Sequence, residues 1–497
     1  MPGTGRQATI EELTAAHFAD FVAEAHGGRR PFPWQQALID RILADGRWPD
    51  VIDVPTGLGK TTVLDVAVFV AALRPDLAPR RTFFAVDRRL VVDEAHEHAT
   101  AIREALTGPA GPVCRAVADR LRAVGDPGEV LTVARMRGGV TWDRVWLERP
   151  DRRAIITGTI DQVGSRLLFR GYGVGEYARS IDAALVGTDS LIVVDEAHLA
   201  AAFHTTARAA FDLDRWPIAR RPVLVTMSAT NPADDDRPAA SDIGTPPPAP
   251  DIGTPTVHTI STADLDHPDA GQRLRAGKRL RLVQVDTNRR KAATEVPQVM
   301  ADLAVRLADR GVVAVVANTV ARARAVFDRL PAGTDAVLLT GRIRPIDRDL
   351  LLHRHYQRIK VGRDRSDDRP FIVVATQTIE VGANIDADAL ISESAPLPAL
   401  IQRLGRLNRL GEHNAPAPAY LVHDSTVDAD DPVYGPARLA TWQWLAGRIT
   451  PATPATPHHG EFRDVSPAAL RDLRAQAPAA AVTAGERYVP LLNQGTL

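Results

Sequence analysis

The stretch IDVPTGLGKTT, Ile52–Thr62, sets two glycines ahead of a lysine and two threonines. That spacing suits the grip of a polyphosphate. Gly57 and Gly59 let backbone N–H groups turn inward, and Thr56, Leu58 and Thr62 complete the cradle. Lys60 can reach the β- and γ-phosphates, and the Thr61 hydroxyl can hold magnesium. Val54 stands where the general phosphate-loop pattern has its first glycine. A second chemistry is written twice: VVDEAH occurs at Val91–His96 and again at Val193–His198. An acidic pair behind an aliphatic run can hold a phosphate-bound metal and orient a water. One site needs one such pair.

The neighbouring residues separate the two copies. From the first copy onward, Val92, Ala95, Ala99, Ile102 and Leu106 recur at helical spacing. They predict an amphipathic helix with Asp93, Glu94 and Glu97 on its solvated side. The second copy follows the turn Gly187–Ser190 and the run LIVV, Leu191–Val194. That pattern is a buried parallel strand, and a metal carboxylate belongs at the carboxyl end of one, beside the phosphate loop. Catalysis is therefore assigned to the second copy, with Asp195 on the metal and Glu196 on the attacking water. Upstream of the first copy, Arg88 and Arg89 are candidates for contact with a nucleic-acid backbone. The phosphate loop has the same setting: a short strand before it, and the helix VLDVAVFVAAL after it. The chain reads as α/β.

Bulk properties bound the rest. The 497 residues suffice for two or three domains, and 45% hydrophobic content supports sizeable cores. No stretch of about 18 uncharged apolar residues predicts a membrane span. No secretory segment is read, and the single cysteine, Cys114, excludes an intrachain disulfide. A cytoplasmic location is expected. Sixty basic against sixty-one acidic residues leave a net charge of −1, so any phosphate-binding surface must be local. Only 5% of residues are aromatic. No aromatic-rich platform is expected, and with it little base preference.

Taken in order, further stretches resemble the motifs of superfamily-2 helicases. Pro31-Phe32-Pro33-Trp34-Gln35 resembles the glutamine motif, which implies that Gln35 reads adenine. Arg137-Gly138-Gly139 and Thr159-Ile160-Asp161-Gln162 resemble the strand-contacting motifs of a first domain. Ser228-Ala229-Thr230 resembles the motif that couples hydrolysis to strand movement. Asn318-Thr319-Val320, Thr376-Gln377, Glu380–Asp386 and Gln402–Arg409 resemble the matching set of a second domain. The resemblance implies two tandem RecA-like parallel-sheet domains with ATP and Mg2+ as cofactors. It implies Gln402 at the γ-phosphate, Arg406 and Arg409 as arginine fingers from the other domain, and Gly382 and Asp386 on the nucleotide side. Asp386 would meet the ribose edge or form a coupling bond. Arg137, Thr159, Asn318 and Thr376 would contact the strand.

Longer runs narrow the resemblance. VDRRLVVDEA, MRGG, GTIDQVGSRLLFRGYG, ANTVARA and SAPLPALIQRLGRLNRLG are similar to the CRISPR-associated helicase–nuclease of type I systems, most like the I-U or I-G branch. That family implies recruitment by a guide-RNA surveillance complex (Cascade) to R-loop DNA, and 3′ to 5′ travel on single-stranded DNA. Its members usually carry a His-Asp nuclease domain. The flanks here are too short for a helical nuclease of on the order of 150–200 residues. The nuclease is expected in a separate His-Asp protein or in a portion of the chain absent here. The adjacent pair His423-Asp424 and the pair His458-His459 are read as ordinary loop, not metal ligands.

The expected organisation is an N-terminal helix over residues 1–30, opened by a capping box at Thr9–Glu12. The first RecA-like domain covers 31–230, a Pro-rich linker 231–270, the second RecA-like domain 271–425 and a C-terminal extension 426–497. Residues 342–365 carry eight Arg or Lys against three Asp, which makes Arg342, Arg344 and their neighbours candidates for strand contact. The reading is an ATP-dependent single-stranded DNA translocase. A DEAH-type RNA helicase and an ATP-gated clamp or recruitment module remain as alternatives.

Overall fold

Unbroken aliphatic runs, such as LIVV at 191–194 and VVAVV at 312–316, form strands buried on both faces, which suit central positions in a helix-covered parallel sheet. The computed structural model describes residues 10, 12–87, 89–108, 111–125, 127–136, 143–196, 200–213, 219–227, 255–341, 345–365, 369–380, 384–478 and 482–484. The chain divides into two units, Met1–Gly271 and Gln272–Leu497.

The first unit is built on β1 (Val51–Asp53), β2 (Arg81–Val86), β3 (Thr132–Met136), β4 (Ala154–Thr159), β5 (Ser190–Asp195), β6 (Val223–Met227) and β7 (Val257–Thr259). Their order is β3-β4-β2-β5-β6-β1-β7, with every pairing parallel. Helices α1 (Phe18–Ala25), α2 (Pro33–Asp45), α3 (Val63–Leu73), α4 (Arg89–Thr107), α5 (Pro112–Ala123), α6 (Val145–Glu148), α7 (Ile160–Leu167), α8 (Arg179–Gly187) and α9 (Ala201–Leu213) accompany it. Short α10 (Thr262–Asp266) and α11 (Pro268–Leu274) follow β7.

The second unit repeats the topology. Its strands are β8 (Lys278–Val285), β9 (Val312–Val316), β10 (Ala336–Leu339), β11 (Phe371–Ala375), β12 (Ala389–Glu393), β13 (Ala417–Asp424) and β14 (Arg463–Asp464). The order β10-β11-β9-β12-β13-β8-β14 matches the first sheet strand for strand, except that edge strand β14 runs antiparallel. Helices α12 (Ala292–Arg306), α13 (Val320–Phe327), α14 (Pro345–Ile359), α15 (Leu397–Leu404), α16 (Pro436–Ala446) and α17 (Pro467–Ala475) belong to this unit. Two mostly parallel α/β sheets are the expected fold class. No helix among the described residues is long and apolar enough to cross a membrane.

Three expected boundaries differ. Residues 257–270, read as linker, fold into the first unit. His258 Nε2 meets Trp34 O at 2.8 Å, and Asp264 Oδ1 accepts the Trp34 N–H at 2.8 Å from 230 positions away. A three-residue strand is too short to show a period, so composition alone misled. Thr9 and Glu11 of the expected capping box lie outside the described residues; Glu12 to Thr14 are not helical, and the first described helical turn opens at Ala15. The Thr14 N–H donates to His17 Nδ1 at 3.1 Å. Finally, the C-terminal extension is continuous with the second unit. β14 pairs with β8, and Ala452 bridges to Val283.

A buried carboxylate supports the base of the second sheet. Asp388 accepts from the Val312 N–H at 2.7 Å, Arg363 Nη2 at 2.6 Å and Arg365 Nη1 at 2.5 Å, and lies 3.0 Å from His413 Nε2. Burial alone would raise its pKa; His413, Arg363, the Val312 N–H and Arg365 hold it down at about 2. Gly311 has φ +110°, and a Cβ there would sit 2.6 Å from Asp388 Oδ2. Because the folded pKa lies below the ordinary 3.8, this contribution is complete above about pH 4 and is lost as pH falls through about 2. Urea unfolding at several pH values checks it. Asp388→Asn should cost about 2 kcal/mol at pH 7, and its gap to the parent should close between pH 4 and 2. Gly311→Ala should be comparably destabilising.

Candidate functional site

In the first unit the phosphate loop leaves the carboxyl end of β1. Gly57 and Gly59 take φ of +89° and +68°, which glycine adopts without steric cost. Lys60–Thr62 form a single 3-10 turn that runs into α3, whose residues are almost all buried. The loop is tied from outside. Trp34 Nε1 donates to Leu58 O at 3.0 Å, and Gln35 Nε2 donates to Gly59 O at 2.9 Å. Gln35 Oε1 accepts the Phe32 N–H at 2.8 Å. The amide expected to read adenine is thus committed at both ends to backbone and tethers the loop.

Lys60 is 8% exposed. Its ammonium lies 3.3 Å from Glu196 Oε1 and 3.8 Å from Asp195 Oδ1. Burial alone would depress its pKa, but the two carboxylates outweigh burial and raise it. Asp195 ends β5, and Glu196 follows in a left-handed conformation, φ +54°. A non-glycine residue there is strained, and such strain gathers at functional sites. The Glu196 N–H donates to Asp195 Oδ1 at 3.0 Å. The Thr61 hydroxyl and the Asp195 carboxylate are hard oxygen donors of the kind that magnesium takes.

The first VVDEAH lies elsewhere. It sits on α4 with Val92, Ala95, Ala99, Ile102 and Leu106 buried, as their spacing predicts. Glu94 and Glu97 are exposed, and Asp93 pairs with Arg135 Nη1 at 3.0 Å. Sequence repetition here is not site repetition.

In the second unit, most of the expected site residues are buried and bonded at home. Arg406 Nη2 donates to Glu380 O at 2.5 Å, Arg409 Nη1 to Asn384 Oδ1 at 3.1 Å, and Gln402 is buried. Asp386 is fully buried and accepts the Arg409 N–H at 2.8 Å and Arg365 Nη2 at 2.7 Å. Both bonds lie within the second unit. Sequence reading passed over Arg403, the hub of this region. It is fully buried and donates to Glu380 Oε1 at 2.8 Å, Ser392 Oγ at 2.9 Å, Glu393 O at 2.9 Å, Asn318 Oδ1 at 3.0 Å and Tyr434 OH at 3.1 Å. Its place between Gln402 and Arg406 in the motif was the available signal.

Several of the expected strand-contact residues are buried or bonded within their own unit. Asn318 donates to Ser394 O at 2.8 Å and accepts from Arg403, so its amide is structural. Thr159 and Thr376 are buried at the ends of β4 and β11. Arg363 and Arg365, from the basic run 342–365, neutralise Asp386 and Asp388. Buried carboxylates claim cations that sequence alone shows as surface charge. Arg88, Arg137, Ser228, Ala229, Thr230, Arg342, Arg344 and Gly382 lie outside the described residues, and Arg89 is described only as the start of α4.

His423 and Asp424 are buried. His423 Nδ1 meets Ser394 Oγ at 2.9 Å, its ring stacks on Trp442 at 4.3 Å, and burial and Arg438 push its pKa down to about 3. Asp424 accepts from Thr426 and from Arg322. His458 bonds the Tyr420 hydroxyl.

Comparison with known proteins agrees with this layout. The family described as CRISPR-associated nuclease/helicase Cas3, C-terminal, matches residues 309–412, and type III restriction enzyme, res subunit, matches 29–233. The CRISPR-associated helicase Cas3 of Thermoproteus tenax is 24% identical over 82% of this chain and 64% of its own length. The CRISPR-associated nuclease/helicase Cas3 of Streptococcus thermophilus is 34% identical over 20% of this chain and 11% of its own. The crystal structure of T. fusca Cas3 with AMPPNP superposes with a TM-score of 0.62 at 20% identity, covering 96% of this chain and 54% of that one. The chain therefore spans about half to two thirds of the relatives it matches over most of its length. The fold is an α/β pair of RecA-like units, similar to those of the Cas3 structures. Within that class the chain is a homologue of the Cas3-type helicases.

The two acidic boxes make opposite predictions. Glu196→Gln should reduce ATP turnover at least a hundredfold while nucleotide binding persists, and Glu94→Gln should leave turnover within about twofold. Steady-state hydrolysis with nucleotide titration checks both; a dead Glu94→Gln variant would reverse the assignment.

Proposed function

We propose that this chain is an ATP-driven translocase on single-stranded DNA in a type I CRISPR interference system. The observation that carries the reading is the Lys60–Glu196–Asp195 cluster, with its loop and its strained glutamate, at the carboxyl ends of β1 and β5. In this reading Lys60 exchanges its ion pairs for the β- and γ-phosphates of ATP. That exchange releases Glu196 to orient the attacking water, so hydrolysis becomes competent only when the loop is filled. Thr61 and Asp195 would hold Mg2+, which supplies charge neutralisation on the phosphates. Arg406 and Arg409 supply arginine-finger charge, and Gln402 senses the γ-phosphate. Thr159 and Thr376 remain proposed strand contacts, joined by Arg88, Arg89, Arg137, Arg342 and Arg344. Ser228-Ala229-Thr230 couples hydrolysis to strand movement. Travel is 3′ to 5′, recruitment is by Cascade at R-loop DNA, and the branch is I-U or I-G. The site is cytoplasmic in this reading, and cleavage belongs to a His-Asp centre in a separate protein or in another portion of the chain, since His423 and Asp424 are committed to structural bonds.

Single-stranded DNA should stimulate ATP turnover several-fold more than RNA of equal length; the reverse would favour an RNA helicase, and no stimulation by either a clamp. Arg406→Ala or Arg409→Ala should slow hydrolysis on the order of a thousandfold with little change in nucleotide affinity. On circular single-stranded DNA with manganese, nickel or magnesium and ATP, the chain alone should give no cleavage on a gel. Cleavage that vanishes in a His423→Ala, Asp424→Ala variant would sink that assignment.

A further inference from the structure

Among the described residues, exposed large apolar side chains gather in the stretch from the end of α7 into the first turn of α8. Leu168, Phe169, Tyr172, Tyr177 and Ile181 all face water, Tyr177 at 95% exposure. Arg170 and Arg179 stand exposed among them. The low aromatic content of the chain concealed this, because a chain-wide average says nothing of a local cluster.

Phe169 marks the stretch as kept for something outside the fold. It closes α7 with φ +60°, donating its N–H to Arg166 O at 3.0 Å, while the Arg170 N–H donates to Ser165 O at 2.6 Å. This paired helix stop favours glycine at the left-handed position. A phenylalanine there is strained, and at 58% exposure it buries little in return.

Beside the stretch lies a cavity of about 260 Å³. Its lining includes Met136, the last residue of β3, with Trp146, Gln162, Arg166, Val174 and Asp182. It therefore opens at the carboxyl end of an edge strand, the side of a parallel sheet where ligands bind. Asp182 is 1% exposed. Its Oδ2 lies 3.1 Å from Arg166 Nε, but Oδ1 accepts no hydrogen bond. A buried carboxylate oxygen left without a donor is costly and rare.

The occupant must be flat and apolar on its faces, carry N–H donors on one edge, and have negative charge nearby for the arginines. We infer that this cavity and its aromatic rim bind unpaired nucleobases of a single strand, with the amino edge of a base meeting Asp182. Stacking on Phe, Tyr or Trp with Arg along the backbone is how proteins grip single strands. A docked protein would cover the rim but would leave the carboxylate unmet. The inference rests on the strand-binding reading above and names the parts of the strand that are held.

The test compares labelled single-stranded oligonucleotides bearing bases with abasic ones of the same length, by fluorescence anisotropy with the full chain. The parent should prefer the base-bearing strand by roughly tenfold or more. Phe169→Gly should cut that preference while leaving the melting temperature equal or higher, since glycine suits the backbone. Tyr177→Ser should cut it as well. Asp182→Asn should erase the preference for oligo-dC, which has an amino edge, over oligo-dT, which lacks one. If both strands bind equally, or the variants keep the preference, the inference falls while strand binding stands, and the rim becomes a protein-docking surface. If neither strand binds, both readings fall together.

Discussion

A cation withdrawn from water at the carboxyl ends of a parallel sheet must be matched by carboxylates or carbonyls placed with care, because an unpaired buried charge costs several kcal/mol. Both units are organised around this constraint. Lys60 is matched by Asp195 and Glu196, and this fixes the end of β5 against the phosphate loop. Arg403 is matched by oxygens from Asn318, Glu380, Ser392, Glu393 and Tyr434, which draws β9, β12, α15 and the segment before α16 to one point. The difference between the clusters is chemical. Lysine is a point charge on a flexible stem and can change partners, whereas the planar arginine holds several acceptors at once. The first unit thus keeps a movable charge where a phosphate would arrive, and the second keeps a fixed one.

The parts legible in the sequence are those whose signal is local. Gly57, Gly59, Lys60 and Thr61 stand within a few residues of one another, and the helical spacing of Val92 to Leu106 was enough to set the first VVDEAH aside. Central strands such as β5 and β9 were legible as aliphatic runs, whereas the short β7 was not. What stayed hidden depends on residues far apart in the chain. Nothing near Asp388 announces that Arg363, Arg365 and His413 will converge on it. Asn318 was read as a strand contact because its neighbours match a motif, yet the partners that use up its amide come from β12 and α15.

Strain carries information that composition does not. Glu196 and Phe169 both hold left-handed backbone without glycine, at opposite ends of the segment that runs from α7 to β5. At Glu196 the conformation places a carboxylate beside Lys60. At Phe169 it presents a ring to water. The same departure from backbone preference serves an internal partner in one case and an external one in the other.

The return of residues 257–259 to the first sheet has a further consequence. β6 and β7 flank β1 on either side, so the Pro-rich stretch between them is anchored at both ends against the strand that carries the phosphate loop. β6 and β7 belong to one unit, so chain length added between them closes within that unit. Doubling the length of the stretch would add only about 0.6 kcal/mol of closure entropy. Foreign sequence, such as a fluorescent tag or an affinity handle, inserted beyond Ser228–Thr230 would therefore cost little closure entropy and would leave the pairing of β6 and β7 with β1 to hold its register. This gives a labelling position on the first unit that leaves both chain ends free.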